Sequence, residues 1–111
     1  MIIYKILRET EFLELEKNEQ TSGSQKDQID GFVHFSTKNQ LPETLKTHFF
    51  LEERLILMAV ETDKIKNYLK WEESRNDELF PHLYSKLTFA DGLWFAPIEL
   101  INGKHLIPPG T

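Results

Sequence analysis

The residues of this sequence with the clearest capacity for chemistry lie in residues 31–37, which read Gly-Phe-Val-His-Phe-Ser-Thr. Side chains two positions apart on a strand point to the same face, so His34 and Ser36 are expected to share one face. Because histidine can donate, accept or carry charge near neutral pH, these two residues and Thr37 could line a ligand pocket. The structural alternative is a half-buried His34 with satisfied hydrogen bonds and a Ser36 hydroxyl that caps the next helix.

A second candidate group spans residues 71–75, where a predicted strand gives way to a polar loop. Catalytic groups are often mounted at such loop edges, so Glu72 could hydrogen-bond a ribose hydroxyl or act as a general base. Trp71 and Arg75 flank this carboxylate and are candidate ligand-binding residues. The alternative is a solvated carboxylate, or a weak surface ion pair between Glu72 and Arg75.

The third candidate group is the motif Phe-Pro-His-Leu-Tyr at residues 80–84. Its proline fixes its own φ and favours an extended neighbour, which predicts a rigid entry into a strand. His82 and Tyr84 then point the same way and could line a pocket or stack on a base, unless Tyr84 is a core residue with a wet hydroxyl. Lys5 is alone on the first predicted strand, where a solvated edge charge is the usual interpretation unless that strand borders His34.

Length and composition narrow the class of protein. A chain of 111 residues predicts one hydrophobic core, and therefore a single domain over residues 1–111. The lack of cysteine excludes disulfides and thiolate chemistry, and it fits the predicted cytoplasmic location. A net charge of −5 without a basic cluster makes nucleic acid an unexpected partner. No apolar run could span a bilayer, and the first residues lack a signal-peptide pattern.

The sequence lacks the motifs of several familiar catalytic and binding sites. The sequence has neither a glycine-rich nucleotide loop nor a Gly-x-Ser-x-Gly elbow. Its four histidines lack the spacing of metal ligands on a helix, so no metal site and no required cofactor is predicted. A metal-independent hydrolase that uses His34 and His82 as an acid–base pair remains one open function.

The predicted helices and strands that must position these residues do not follow a regular βαβ alternation. Helical patterns come early and strand patterns late, which is typical of an α+β domain with a mixed or mostly antiparallel sheet and two or three short helices. The apolar run at 54–61 predicts a central strand. Thr10 is predicted to cap a helix that runs to about residue 17. Asn39 is predicted to cap a second helix, which has Pro42 in its first turn and runs to about residue 50. Residues 18–27 are all polar or glycine and predict a surface loop. The other predicted strands are 2–7, 29–35, 68–72, 82–87, 93–101 and 104–107, with a hairpin turn at Asn102-Gly103.

Taken in order, these segments resemble a family of small, mostly bacterial proteins known as domain-of-unknown-function family nine-five-two. The matching pieces span nearly the whole chain. They are Ile3-Tyr4-Lys5-Ile6, residues 30–37 with Gln40, Trp71-Glu72 and residues 80–84. Two positions depart from the family pattern, since Lys5 stands where histidine is common and Ser85 stands where glycine is usual.

The resemblance implies a fold similar to that of ADP-ribosyltransferases, which split NAD at the bond between nicotinamide and ribose. The RNA 2′-phosphotransferase branch of those enzymes has a comparable His-x-Ser strand. By this resemblance, His34 and Ser36 would hold the nicotinamide ribose, and Lys5 would lie near the adenosine-side ribose. Glu72 or His82 would supply the third polar group of the site.

Two functions from different classes follow. The leading hypothesis is an enzyme that transfers or hydrolyses part of an NAD- or nucleotide-type ligand, with a carboxylate near an oxocarbenium-like transition state. The alternative is a non-catalytic binding module for a small anionic metabolite, toward which the acidity of the chain and the missing histidine at position five lean. In both cases the partner is a small molecule, and the chain is expected to be a monomer or a homodimer.

Overall fold

Three antiparallel sheets join into one curled layer with three helices packed around it. A computed structural model describes residues 1–111 except the side chain of Arg75, so the predicted ligand-binding role of Arg75 lies outside the described residues. In the described chain the strands are β1 (Ile2–Arg8), β2 (Gln20–Thr21), β3 (Val33–His34), β4 (Leu55–Glu61), β5 (Leu69–Glu73), β6 (Leu79–Leu83), β7 (Leu87–Thr88), β8 (Gly92–Ile101) and β9 (Lys104–Leu106). The α-helices are α1 (Glu9–Asn18), α2 (Gln25–Asp30) and α3 (Leu41–His48).

The largest sheet has the order β1-β4-β8-β9, and all of its pairings are antiparallel. Strand β4 lies inside this sheet, and most of its side chains are buried. A continuous apolar run is typical of a strand covered on both faces, which confirms the predicted central strand. The predicted α+β class with a mostly antiparallel sheet and short helices is also confirmed.

A second sheet, with the order β3-β6-β5, is joined to the first through the chain just after β3. Tyr4 and Ser36 exchange two backbone hydrogen bonds of 2.8 Å, and the Phe35 amide donates to the Pro81 carbonyl at 3.0 Å. The first two bonds join the chain after β3 to the outer edge of β1 at Tyr4, and the third joins it to β6, so β1 lies beside the segment that carries His34. Lys5 is therefore a candidate site residue, because its strand borders the segment that carries His34.

Two clusters of buried side chains form the core, one on each side of the large sheet. Val33 and Phe35 lie in the first cluster and are each 2% exposed. His34 and Ser36 point the other way, as the two-residue period of a strand requires. The predicted division of faces in this segment is confirmed, although the ladder of β3 is only two residues long.

The structure corrects two predictions in the first third of the chain. Residues 18–27 are not simply a loop, because β2 pairs with β7 and Ser24 begins α2. The strand predicted at 29–35 is mostly wrong as well, since α2 continues to Asp30 and Gly31 ends it in the left-handed region. Capping of α2 by the Ser24 hydroxyl outweighed the strand propensity of the residues that follow.

Three boundaries also differ from prediction. The cap of α1 is Arg8 rather than Thr10, because the Glu11 carboxylate accepts from the Arg8 amide at 2.9 Å. The turn before α3 starts after Thr37 rather than Asn39, with the Gln40 side chain accepting from the Thr37 amide at 3.0 Å. The strand predicted at 82–87 begins three residues earlier, at the start of β6, and ends at its last residue, Leu83.

The hairpin between β8 and β9 is confirmed at its turn. Asn102 and Gly103 have φ values of 52° and 77°, as a two-residue turn of the primed type requires. No helix in the described chain is long and apolar enough to cross a membrane.

Candidate functional site

A cleft of about 440 Å³ opens where β1, α2, α3 and the second sheet meet. Cavities of this volume are within the usual range for small-molecule sites. Its polar centre combines residues that are far apart in the sequence, namely Lys5, Asp27, His34, Ser36, Thr44 and His82.

Asp27 is the hub of the cleft. Its Oδ2 accepts from Lys5 Nζ at 2.7 Å and from the Ser24 amide at 2.9 Å. Its Oδ1 lies 2.5 Å from His34 Nδ1 and accepts from the His34 amide at 3.1 Å. Asp27 and Lys5 are only 2% and 4% exposed, so this is a buried ion pair shared with a histidine.

The local sequence explains how Asp27 reaches this position. The Ser24 hydroxyl accepts from the Asp27 amide at 3.1 Å, which forms a reciprocal capping box with the Asp27 carboxylate. Gly23 has a φ of +92°, and a Cβ at this position would clash with the Asp27 carboxylate. At the other end of α2, the Gly31 amide donates to the Asp27 carbonyl at 2.9 Å. The short helix α2 is thus an element that mounts one carboxylate in the cleft.

The surroundings of Asp27 decide its charge. Burial by itself raises the pKa of this carboxyl, but the hydrogen bond from His34 and the positive charge of Lys5 outweigh it. The pKa of Asp27 is therefore well below its usual range, and the group is an anion at neutral pH.

His34 contacts carboxylates with both ring nitrogens. Nδ1 faces Asp27, and Nε2 lies 3.0 Å from Asp30 Oδ2 at the end of α2. Lys26 is 3.2 Å from the same Asp30 oxygen, and hydrogen bonding to Lys26 lowers the pKa of Asp30. Both ring nitrogens of His34 therefore have a carboxylate partner within hydrogen-bond distance. The structural alternative of a half-buried, satisfied His34 is thus correct as geometry, and the same contacts fix the ring in the cleft.

His82 has its own carboxylate. Its Nδ1 lies 2.8 Å from Glu72 Oε1, and the Tyr84 hydroxyl donates to the same oxygen at 2.7 Å. Both hydrogen bonds lower the pKa of Glu72, and the one from Tyr84 has the larger effect. A proton on Nδ1 of His82 leaves Nε2 with a lone pair, which is the tautomer a histidine base needs.

The pKa of His82 is lowered from its ordinary value of 6.5. Burial is the main cause and the charge of His34 adds to it, while the hydrogen bond with Glu72 acts in the opposite direction. His82 is therefore neutral at pH 7 and able to accept a proton.

This depressed pKa predicts a pH dependence of stability. Below pH 6.5 the unfolded chain binds a proton at His82 before the folded chain does, so the free energy of unfolding falls as pH decreases toward the folded pKa. We expect His82→Gln to lose this part of the dependence. Urea unfolding at several values between about pH 8 and about pH 5 measures it, and parallel curves for both proteins would contradict the prediction.

Aromatic contacts hold the two histidines together. The Phe32 ring stacks on His82 with centroids 4.0 Å apart and lies 4.5 Å from His34. The two imidazoles meet edge to face with centroids 5.4 Å apart. The predicted sharing of one pocket by His34 and His82 is thus present as geometry, although their sequence separation is large.

The other predicted site residues divide into those inside the cleft and those outside it. Lys5 and Ser36 line it, and the solvated alternative for Lys5 is wrong because its side chain is buried. The Ser36 hydroxyl lies 3.2 Å from that of Thr44, so Ser36 is not the cap of the next helix. Among the described residues, four predicted ones do not line the cleft: Thr37, Trp71, Glu72 and Tyr84.

Sequence reasoning missed Asp27 and Asp30, the carboxylates nearest to His34. The signal for Asp27 was available, because Ser24-Gln25-Lys26-Asp27 has the spacing of a capping box. Among the described residues, no group of three or more histidine, aspartate or glutamate side chains is arranged so that it could hold a metal ion.

Comparison with known proteins gives a family and a solved relative. The model of a family described as Protein of unknown function (DUF952) matches residues 6–93. The crystal structure of protein CC0527 from Caulobacter crescentus has 36% sequence identity and a TM-score of 0.91, over 96% of this chain and 94% of that one. The solution NMR structure of CC0527 has 36% identity and a TM-score of 0.82, over 94% and 90%. No curated protein matches this chain.

Proposed function

Because this chain belongs to the family described as Protein of unknown function (DUF952), which brings no activity with it, we propose a function from the cleft itself. The cleft is an acid–base site that hydrolyses or transfers part of an NAD- or nucleotide-type ligand. A fold similar to that of ADP-ribosyltransferases is also part of this proposal. The solved structures found to be similar to this chain are those of CC0527.

One observation carries the proposal: two of the histidines that line the cleft each contact a carboxylate through Nδ1. His82 is positioned by Glu72, and His34 by Asp27. A histidine whose Nδ1 is fixed by a carboxylate has a defined ring orientation and a defined tautomer, as a general base requires.

In the proposed reaction, His82 is the general base. It accepts a proton from water or from an acceptor hydroxyl while the new bond from oxygen to the ribose carbon forms. The bond from that carbon to the nicotinamide nitrogen breaks, and nicotinamide leaves as a neutral molecule. The positive charge that develops on the ribose is near Asp27 and Asp30, both of which line the cleft as carboxylates.

The other residues then have binding or positioning roles. Ser36 holds a ribose hydroxyl, as the resemblance implied, whereas His34, whose two ring nitrogens contact Asp27 and Asp30, positions these carboxylates instead of binding the ribose itself. Glu72 acts through His82 as a positioning residue instead of the catalytic residue first expected, because it lies behind the histidine and outside the cleft.

A specific observation favours a second candidate, a non-catalytic binding module for a small anionic metabolite. The Ser36 hydroxyl contacts the Thr44 hydroxyl rather than a histidine. Nucleophilic catalysis by this serine would require an adjacent base. The same cleft without turnover would simply bind its ligand.

The test is incubation of the protein with NAD, followed by chromatographic measurement of free nicotinamide. Thermal unfolding is recorded in parallel with NAD, ADP-ribose and glucose 6-phosphate. We expect nicotinamide release and a raised unfolding temperature with NAD, and His34→Ala should abolish that stabilisation while the fold is kept. His105→Gln is the matched control, because His105 is half-buried and its Nε2 donates to the Glu52 carbonyl, outside the cleft.

The outcomes separate the two candidates. Stabilisation by NAD or ADP-ribose without nicotinamide release supports the binding module. Neither turnover nor stabilisation by any nucleotide contradicts the proposed function. If the His34→Ala variant unfolds, His34 has a structural role. The ligand test is then made with His34→Gln and the same ligands.

A further inference from the structure

We infer that the cleft recognises the nucleoside part of its ligand, the ribose and its base, through hydroxyls and an aromatic wall, and leaves phosphate groups outside. The inference rests on the proposed function and names the substrate class of the same site. Its basis is the state of the charged side chains around the cleft.

Besides histidines, the described side chains that line the cleft include three cations and three carboxylates. They are Lys5, Arg8, Lys26, Asp27, Asp30 and Glu73. Among these six side chains the two signs are balanced, in contrast with a phosphate site, where cations that face the ligand are in excess.

Each of the three cations already contacts a carboxylate. Lys5 Nζ is 2.7 Å from Asp27, and Lys26 Nζ is 3.2 Å from Asp30. Arg8 meets Glu52 with two parallel hydrogen bonds of 2.8 and 3.0 Å. A diphosphate would have to compete with these carboxylates for the same donors.

Competition is hardest at the centre of the cleft. The Lys5–Asp27 pair is buried, and withdrawing Lys5 toward a phosphate would leave Asp27 as a less compensated buried anion. Asp30, at the rim beside His34, would repel a second negative charge. The charges therefore disfavour the phosphate end of a nucleotide at this point.

The remaining polar groups suit an uncharged, hydroxyl-bearing ligand. Ser36 and Thr44 line the cleft with hydroxyls, and Asp30 at its surface can accept from a sugar hydroxyl. Phe32 and other phenylalanines add apolar ring surface, against which a nucleobase can pack. A nucleoside combines these two requirements in one molecule.

Thermal unfolding with adenosine, AMP and ATP, each at about 0.1 M and about 1 M salt, tests this inference. We expect adenosine to raise the unfolding temperature at least as much as ATP, with no loss at the higher salt. Stabilisation that increases from adenosine to ATP and disappears at high salt overturns the inference but leaves the proposed function standing. Release of nicotinamide from NAD with no binding of adenosine also overturns only the inference. No response to any nucleoside or nucleotide overturns both.

Two variants sharpen the result. Ser36→Ala should weaken adenosine binding about 3- to 10-fold, the range for loss of one neutral hydrogen bond, and Ser85→Ala, whose hydroxyl lies outside the cleft, should not. Lys26→Ala removes the most exposed cation of the cleft and should leave the affinities for adenosine and ATP within about twofold of wild type. A loss in Lys26→Ala that is confined to the phosphorylated ligands contradicts the inference.

Discussion

Replacement of Asp27 by asparagine should lower the free energy of unfolding by about 3–5 kcal/mol, the cost of removing one partner from a buried ion pair. The side chain of Asp27 is almost fully buried, and Lys5 beside it is equally enclosed. An amide of the same shape cannot compensate the ammonium charge of Lys5 or accept from all four donors that now face the carboxylate. Urea unfolding monitored by circular dichroism measures the loss.

The matched control is Lys26→Met, which breaks an ion pair between the ends of the same helix. The Lys26 side chain is exposed and that of Asp30 is partly exposed, so this change should alter stability by no more than about 0.5 kcal/mol. Coupling between Lys5→Met and Asp27→Asn in a double-mutant cycle isolates the pair itself. A loss for Asp27→Asn as small as that of the control would show that the buried pair does not stabilise the fold.

The second large effect is expected on turnover. If His82 is the general base, His82→Gln should lower the rate of nicotinamide release from NAD about 10²- to 10⁴-fold, which is the usual contribution of positioned acid–base catalysis. His105→Gln should keep the wild-type rate, because His105 is outside the cleft. Equal rates for His82→Gln and wild type, with NAD still bound, would remove His82 from the mechanism.

The pH profile distinguishes a base from a merely structural histidine. Turnover should fall as the pH drops through the folded pKa of His82, which burial lowers below 6.5. Glu72 raises that pKa through its hydrogen bond to Nδ1. Glu72→Gln should therefore move the acid limb of the profile to lower pH, in addition to any loss of rate. An acid limb that stays in place would contradict the assignment of Glu72 as the positioning residue.

Local patterns were sufficient for much of the fold. The apolar run of β4 required burial on both faces, and the Asn102-Gly103 turn required positive φ at two successive residues. The same kind of rule placed His34 and Ser36 on one face, because side-chain direction on a strand depends only on the parity of position. These are consequences of backbone geometry, and they do not depend on which other element is nearby.

Predictions failed where two local signals competed. Residues 18–30 carry few apolar side chains, so hydrophobic periodicity had nothing to detect, and the capping box of Ser24 and Asp27 decided the outcome. Ile29 resembled a strand residue but is exposed on α2. Packing against the rest of the chain shortened β3 to the two residues that pair with β6.

By itself, then, the sequence determined that one face of residues 31–37 carries a histidine and a hydroxyl, and that a rigid strand carries His82. Only the tertiary structure decided their partners. Lys5 and Asp27 are 22 residues apart, and Glu72 reaches His82 only because β5 and β6 pair in the observed register. Hydrogen bonds and ion pairs act over a few ångströms, so whether they form depends on how distant segments of the chain pack together. That packing cannot be deduced from the spacing of residues along the sequence.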